Sequence, residues 1–313
     1  MIEMIAQRDA FGNTLVELGR NNRRVVSLDG DLATSTRMDI IAETLPENFF
    51  QMGIAEQNMF GVAAGMATLG LIPFVSSFAC FVAKRGLDQI RMVIAQPKLN
   101  VKLVGAYSGI LTGKTGKTHQ SVQDIAIFRA MPNMVTIAPI DGLEVTKAMH
   151  AMVAYEGPVY LRLTRDPAPV LMDASYQFQI GKAVLLRNGG DIAIIGTGEQ
   201  SRRALEAAEL LAAEGIQASV LHIPTIKPLD EDAILSVAAK TGLVVTAEDH
   251  SIIGGLGGAV AELLGERYPL RMKRLGWRDT YGESAPNEPL LEKYGLTPRH
   301  VAEAARDLLR FKN

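Results

Sequence analysis

Two runs of alternating apolar stretches and helical segments, separated by one proline-broken stretch, constrain this chain more than any single motif. After a polar helix near 6–20, the first run reads strand 25–31 (VVSLDGD), helix 57–68, strand 71–75, helix 80–95 and strand 100–106. It continues with helix 121–130, strand 134–138, helix 141–154 and strand 158–163. Residues 166–181, DPAPVLMDASYQFQIG, break the rhythm. A second run follows: strand 191–196, helix 200–214, strand 217–222, helix 230–240, strand 243–248, helix 256–266, strand 270–275 and a last helix 298–311. Strands that alternate with helices form mostly parallel sheets with helices on both faces. The expected fold class is therefore α/β, with two doubly wound α/β domains, 1–168 and 182–313, joined by a linker at 169–181. Binding loops belong at the carboxyl ends of their strands, and 313 residues leave room for two cores.

Composition narrows the functional classes. A net charge of −2 supplies no broad positive field, and no basic run is interleaved with aromatics, so nucleic acid is not an expected partner. Cys80 is the only cysteine, which excludes an internal disulfide or a cysteine-based zinc site and fits a reducing compartment. The start MIEMIAQRDAFGN has neither the basic nor the apolar part of a signal peptide, so the expected location is cytoplasmic. Residues 57–83 carry no charge over a span long enough for a bilayer. Gly70 and Pro73 divide that span, however, so a buried helix followed by a buried strand is expected instead of a membrane segment.

Few residues have the setting that chemistry requires. GTGEQS (196–201) and GGLGG (254–258) complete neither a dinucleotide fingerprint nor a P-loop, and GKTGKT (113–118) lacks the first glycine of the latter. The lysines of that loop can meet an anion or simply be solvated. His119 ends the same long loop just before a helix, where a side chain can be aimed into a cleft and can exchange protons near neutral pH. His150, His222, His250 and His300 show no ligand spacing. Glu56, in GIAEQNMFGVAAG (53–65), puts a carboxylate at the edge of an apolar helix. On residue physics alone, a helix-capping role in the first turn of 57–68 suffices for it and stands ahead of a catalytic one.

GIAEQNM, LIPFVSSFACF, GKTGKTHQSVQDIAIFRAMPNM, GPVYLRLTR and GWRDTYGESAPNEPLLEKYGLT, in that order, together resemble a transketolase over nearly the whole chain. The resemblance is to the C-terminal half of that family, a thiamine-diphosphate-binding pyrimidine domain followed by the transketolase C-terminal domain. The family's Gly-Asp-Gly segment, which with a downstream Asn holds magnesium and diphosphate, has no match here. This implies one subunit of a split enzyme, with thiamine diphosphate and Mg2+ as cofactors and the metal and diphosphate ligands on an N-terminal partner subunit in an α2β2 heterotetramer.

By the same resemblance, Glu56 hydrogen-bonds N1′ of the aminopyrimidine and promotes the imino tautomer that activates the thiazolium. Phe78 and Phe81 enclose the pyrimidine ring, and a third aromatic of the usual pocket is replaced by Lys84. Asp31 lies beside cofactor and substrate, and His119 bonds the ketose hydroxyls. Ser35 and Arg165 match phosphate-gripping positions, Arg having the planar fork that suits an oxyanion. Two substrate positions depart from the family pattern: Thr115 replaces an aspartate that reads a ketose hydroxyl, and Tyr107 replaces a histidine that helps hold phosphate. The implied activity is transfer of a two-carbon ketol group from an anionic ketose to an aldose. Rival implications are the beta subunit of a 2-oxoacid dehydrogenase decarboxylase, a deoxyxylulose-phosphate synthase, and a non-catalytic regulatory subunit. YGESAPNEPLLEKYGLT favours transketolase over the first two, and Glu56, Phe81 and His119 together argue against the third.

Overall fold

The computed structural model describes residues 3–312, so residues 1, 2 and 313 of the expected domains lie outside the described residues. The larger sheet has seven strands, in the order Thr225–Lys227, Val135–Ile137, Val159–Arg162, Lys102–Ala106, Ile72–Phe78, Val25–Asp29 and Phe49–Gln51. Every neighbouring pair is parallel except the first. The central strands read as continuous apolar runs because both faces are covered. On one face, Phe11 and Leu15 of helix Gln7–Asn21 and Val145 and Met149 of helix Gly142–Ala154 pack on Phe74, Val104 and Leu161. On the other, Met59 and Phe60 of helix Glu56–Thr68 and Val82 of helix Ala79–Arg85 pack on Leu28, Val75 and Leu103.

The second sheet has five strands, ordered Arg271–Trp277, Leu243–Ser251, Ile192–Gly196, Ala218–His222 and Val184–Arg187, with only the last antiparallel. Helices Gln200–Ala212 and Pro298–Leu309 cover one face, and Glu231–Thr241 and Leu256–Arg267 the other.

The structure departs from the periodicity reading where local signals were short. The helix expected over 80–95 is three pieces: it stops at Arg85, turns through Gly86 and resumes as Leu87–Gln89 and a π-helical Ile90–Ala95. Strand Thr225–Lys227 comes from the C-terminal part of the chain yet pairs antiparallel with Val135–Ile137 of the first sheet. The proline-broken stretch is a packed strap. Its Pro167–Pro169 pairs antiparallel with Met4–Ala6, an edge position where a missing proline N–H is tolerated. The Leu171 and Met172 amides donate to Asp141 Oδ2 at 2.6 and 2.8 Å, and Phe178 enters the first core. The uncharged stretch 57–83 divides among a helix, a strand and the start of the next helix. Among the described residues, no helix is long and apolar enough to cross a membrane.

Candidate active site

At the carboxyl ends of the larger sheet, the segments after Asp29, Gln51, Phe78, Ala106 and Arg162 carry the site residues that the resemblance implies. Gln51 ties two of these loops together. Its Oε1 accepts from the Asp31 and Gly53 amides, both at 3.0 Å, while its Nε2 donates to Asp29 Oδ2 at 2.8 Å. Asp29 is buried, and burial pushes its carboxyl up against the hydrogen bonds from Gln51 and the Leu32 amide that draw it down. The turn it supports holds Asp31 at φ 66°, and Tyr107, at the end of Lys102–Ala106, has φ 56°. Positive φ at two non-glycine residues of one cleft is local strain, of the kind that gathers at functional sites.

Glu56 opens its helix and is only 4% exposed. Its Oε1 accepts from Arg85 Nη1 at 2.7 Å, and the Arg85 guanidinium lies 3.6 Å from the centroid of the Phe81 ring. From there an aromatic row crosses the cleft. Phe81 and Phe78 have centroids 5.8 Å apart, and Phe78 stacks on Tyr107 at 4.3 Å. His119 sets its ring edgewise to both phenylalanines, at 5.7 and 5.4 Å, with Nδ1 hydrogen-bonded to Thr118 Oγ1 at 2.8 Å. Leu32, next to Asp31, packs against the same cluster.

The row ends in cations. Arg8 Nη1 donates to Tyr107 Oη at 2.9 Å and to the Ser35 carbonyl at 3.1 Å. The guanidinium carbons of Arg8 and Arg165 lie 5.8 and 5.3 Å from the Tyr107 ring centroid. Both Nε atoms are buried and find no hydrogen-bond partner among the described residues. Buried donors are normally paired, so the two fit an anion. Arg8 was missed from the sequence because it sits in an ordinary polar helix with no motif around it. A cleft of about 780 Å³ lies beside Arg165, lined also by Lys114, Glu199, Arg202 and Arg203. It contains neither Glu56 nor His119, so its size does not mark the chemistry.

The loop that delivers His119 is clamped from the other domain. Both Oδ atoms of Asp249 accept from the Ile110 amide, at 3.0 and 3.2 Å. Arg162 Nη2 donates to the Asp249 carbonyl at 2.6 Å while its Nε donates to Asp124 Oδ2 at 2.8 Å. Burial pushes the Asp249 carboxyl up, against Arg162 and the Ile110 amide. Asp124 is also buried, but Arg162, His250 and the Tyr160 hydroxyl hold its carboxyl below the usual range. Gly109, at φ 67°, leaves the room this needs, since a Cβ there would stand 1.9 Å from Asp249 Oδ2. Among the described residues, no group of three or more His, Cys, Asp or Glu side chains could hold a metal ion.

Residues 3–169 match the transketolase pyrimidine binding domain, and residues 181–301 the transketolase C-terminal domain. The chain belongs to the transketolase family. It is 44% identical to the 6-deoxy-6-sulfo-D-fructose transketolase subunit SqwH of a Clostridium species, over 98% of this chain and 95% of that one. It is 36% identical to one of the subunits of the apulose-4-phosphate transketolase of Phocaeicola vulgatus, over 98% of each. Among solved structures, a split-gene transketolase described as an inactive beta4 tetramer superposes with a TM-score of 0.92 at 45% identity, covering 99% of this chain and all of that one. This transketolase chain thus corresponds in extent to separate transketolase subunits, and its α/β two-domain fold is theirs.

Within that frame, the structure joins Glu56, through Arg85, to Phe81, Phe78, His119 and Tyr107 in one row of contacts, with Arg165 and the Ser35 backbone at its far end. Asp31 is exposed beside Leu32. Lys84 is exposed on the rim, so no aromatic closes that side. Thr115 Oγ1 is held by Thr112 Oγ1 at 2.6 Å.

Proposed function

We propose that this chain is the C-terminal subunit of a two-subunit transketolase, dependent on thiamine diphosphate and magnesium, that moves a two-carbon ketol unit from a ketose with an anionic tail to an aldose. The observation that carries this reading is the row from the Glu56 carboxylate across Phe81, Phe78 and Tyr107 to two guanidiniums. It has a buried carboxylate at one end and two guanidiniums at the other.

The residues fit the cofactor's aminopyrimidine. Phe81 offers a ring face and Glu56 a carboxylate, and together they already accept one flat N–H donor, the Arg85 guanidinium. In this reading Glu56 hydrogen-bonds the pyrimidine N1′ and moves a proton on and off it, Phe81 and Phe78 fix the ring's plane, and Asp31 lies beside the cofactor. When bound, thiamine diphosphate supplies the electron sink for breaking and making the carbon–carbon bond. His119 bonds the ketose hydroxyls. Arg8, Arg165 and Ser35 hold the tail, with Tyr107 offering a hydroxyl.

Diphosphate and Mg2+ ligands are assigned to a diphosphate-binding partner subunit, in an α2β2 assembly whose sites lie between the chains. Two findings support this: the chain spans 95% and 98% of relatives that are themselves named subunits, and the split-gene relative is inactive as a beta4 tetramer. The sulfonate and phosphate in the names of those two relatives' substrates support the anionic tail.

The test is reconstitution. The chain alone, given thiamine diphosphate and magnesium, is expected to be folded and inactive. With its partner it should exchange the cofactor C2 proton, and Glu56→Gln should slow that exchange roughly 10²- to 10⁴-fold. Turnover by the chain alone overturns the split reading, and unchanged exchange in Glu56→Gln reduces Glu56 to a helix cap.

A further inference from the structure

The two groups assigned above to the aminopyrimidine, the Phe81 face and the Glu56 carboxylate, are both engaged by one side chain of this same chain. Arg85 Nη1 donates to Glu56 Oε1 at 2.7 Å while its guanidinium covers Phe81 at 3.6 Å from the ring centroid. Local structure brings the arginine there. Helix Ala79–Arg85 stops at Gly86, where a Cβ would stand 2.2 Å from a Phe60 ring carbon. Only a glycine lets the end of that helix come so close to helix Glu56–Thr68, and this closeness places the residue before it beside the first turn.

Glu56 is buried, yet the Arg85 side chain is 43% exposed. A buried carboxylate needs a partner, because desolvation without one is costly. The partner here reaches down from the rim. A guanidinium and an aminopyrimidine share the chemistry this seat selects: both are flat, both present an N–H edge to a carboxylate, and both stack on an aromatic face. They cannot hold the seat together, since each needs the same face and the same carboxylate. The rim offers the arginine an alternative in a cleft of about 500 Å³ that also contains Gln57 and Asp88. Asp88 is exposed and, among the described residues, held only by the exposed Arg91, at 2.7 Å, so it can receive a displaced guanidinium.

We propose that Arg85 is a placeholder for the cofactor's pyrimidine ring: it partners Glu56 and covers Phe81 until thiamine diphosphate displaces it, and so lowers the cofactor's affinity. This rests on the cofactor reading above. A site open only part of the time binds with an affinity reduced by its open fraction. For one half-exposed ion pair with a stacked face, removing the competitor should tighten binding by roughly three- to thirtyfold.

The experiment is calorimetric titration of thiamine diphosphate, with magnesium, into the assembled two-subunit complex carrying wild-type chain, Arg85→Ala, Arg85→Lys, Glu56→Gln or Glu56→Gln with Arg85→Ala. Arg85→Ala should lower the cofactor Kd by that factor. Arg85→Lys should fall between, because an ammonium can pair with Glu56 but has no flat face. In the Glu56→Gln background, where the guanidinium has lost its ionic partner, the gain from Arg85→Ala should shrink to under about twofold. That non-additivity separates competition for Glu56 from a general effect on folding. If the wild-type complex binds the cofactor and Arg85→Ala binds it no more tightly, the placeholder is wrong and the cofactor reading stands. If the wild-type complex binds no thiamine diphosphate, the cofactor reading falls and the placeholder with it.

Discussion

Arg165→Ala isolates the anion-binding end of the cleft. The Arg165 guanidinium faces Tyr107, its Nε is buried without a hydrogen-bond partner among the described residues, and its ion-pair carboxylate there, Asp166, stands off at 4.0 Å. Its charge is therefore little used within the chain, and an oxyanion from the substrate is the partner its geometry suits. A hydrogen bond to a charged group contributes about 1.5 to 3 kcal/mol, so its loss should raise KM for an anionic ketose by roughly 10- to 100-fold. Tail contacts far from the reacting carbons are made equally in ground and transition states, so kcat should change much less than KM. The assay measures KM with the assembled enzyme for ketoses ending in a sulfonate, a phosphate or a neutral hydroxymethyl group. The neutral ketose should show no Arg165 dependence. Arg8 already bonds Tyr107 and the Ser35 carbonyl, so Arg8→Ala should raise KM too, while also freeing the Tyr107 hydroxyl. A tyrosine is bulkier than a histidine and offers a hydroxyl in place of a ring that can carry charge, so Tyr107→His should improve use of the phosphate relative to the sulfonate. An unchanged KM for the best donor in Arg165→Ala, or an equal loss for the neutral ketose, refutes the anionic tail.

Three further outcomes follow from buried groups. Gly109→Ala forces an alanine to φ 67° and its Cβ against Asp249, so the melting temperature should fall, reflecting about 2 kcal/mol or more of lost stability. Tyr176→Phe removes the donor at 2.7 Å to Glu144, a buried carboxylate that also meets His222 across the domain boundary, and should cost about 1.5 to 3 kcal/mol in thermal or denaturant melts. Burial lowers the Lys102 ammonium from 10.5 to about 7. The unfolded chain therefore binds the extra proton between about pH 7 and 10.5, so stability rises with pH in that window by up to about 1.4 kcal/mol per unit; the melting temperature of wild type relative to Lys102→Met should climb from pH 7 to 10 and stay level below 7.

The alternation of strands and helices was legible because parallel strands covered on both faces leave long apolar runs, as in IPFVSSF over 72–78. What escaped was short or set by distant partners. Thr225–Lys227 has three residues, too few for a period, and its neighbour in the sheet lies about ninety positions earlier in the chain. The break after Arg85 depends on Phe60 crowding Gly86, which no local pattern encodes. Of the residues in the contact row, Glu56, Phe81, His119 and Arg165 stand out in the sequence because they lie in segments that resemble the family's motifs. Arg8 and Gln51 were not: the one reaches Tyr107 across 99 positions, and the other bridges Asp31 and Gly53 from a three-residue edge strand.

The C-terminal domain supplies no side chain to the row between Glu56 and Arg165, yet the cleft depends on it. Its sheet reverses strand order between Ile192–Gly196 and Leu243–Ser251, the place where a doubly wound sheet opens a crevice for a ligand. Here the carboxyl end of the second of these strands is taken by the loop carrying His119: Ile110 meets Asp249, and Ser251 N donates to the Val122 carbonyl at 2.9 Å. Arg162, from the first sheet, joins the Asp249 carbonyl to the Asp124 carboxylate at the start of the helix that follows the loop. The 13-residue segment from Ser108 to Gln120 is rich in glycine and threonine, which leave its backbone free to move, and its Ile110 and Leu111 fix it in part by packing with Trp277, Leu290 and Leu291 of the C-terminal domain. Anchoring its first turn on a buried carboxylate of the neighbouring domain removes that freedom at one end, and the Gln120 amide, donating to the Glu283 carbonyl at 3.0 Å, removes it at the other. The second domain thus acts as the loop's mould, and the position of the His119 imidazole is a property of both sheets.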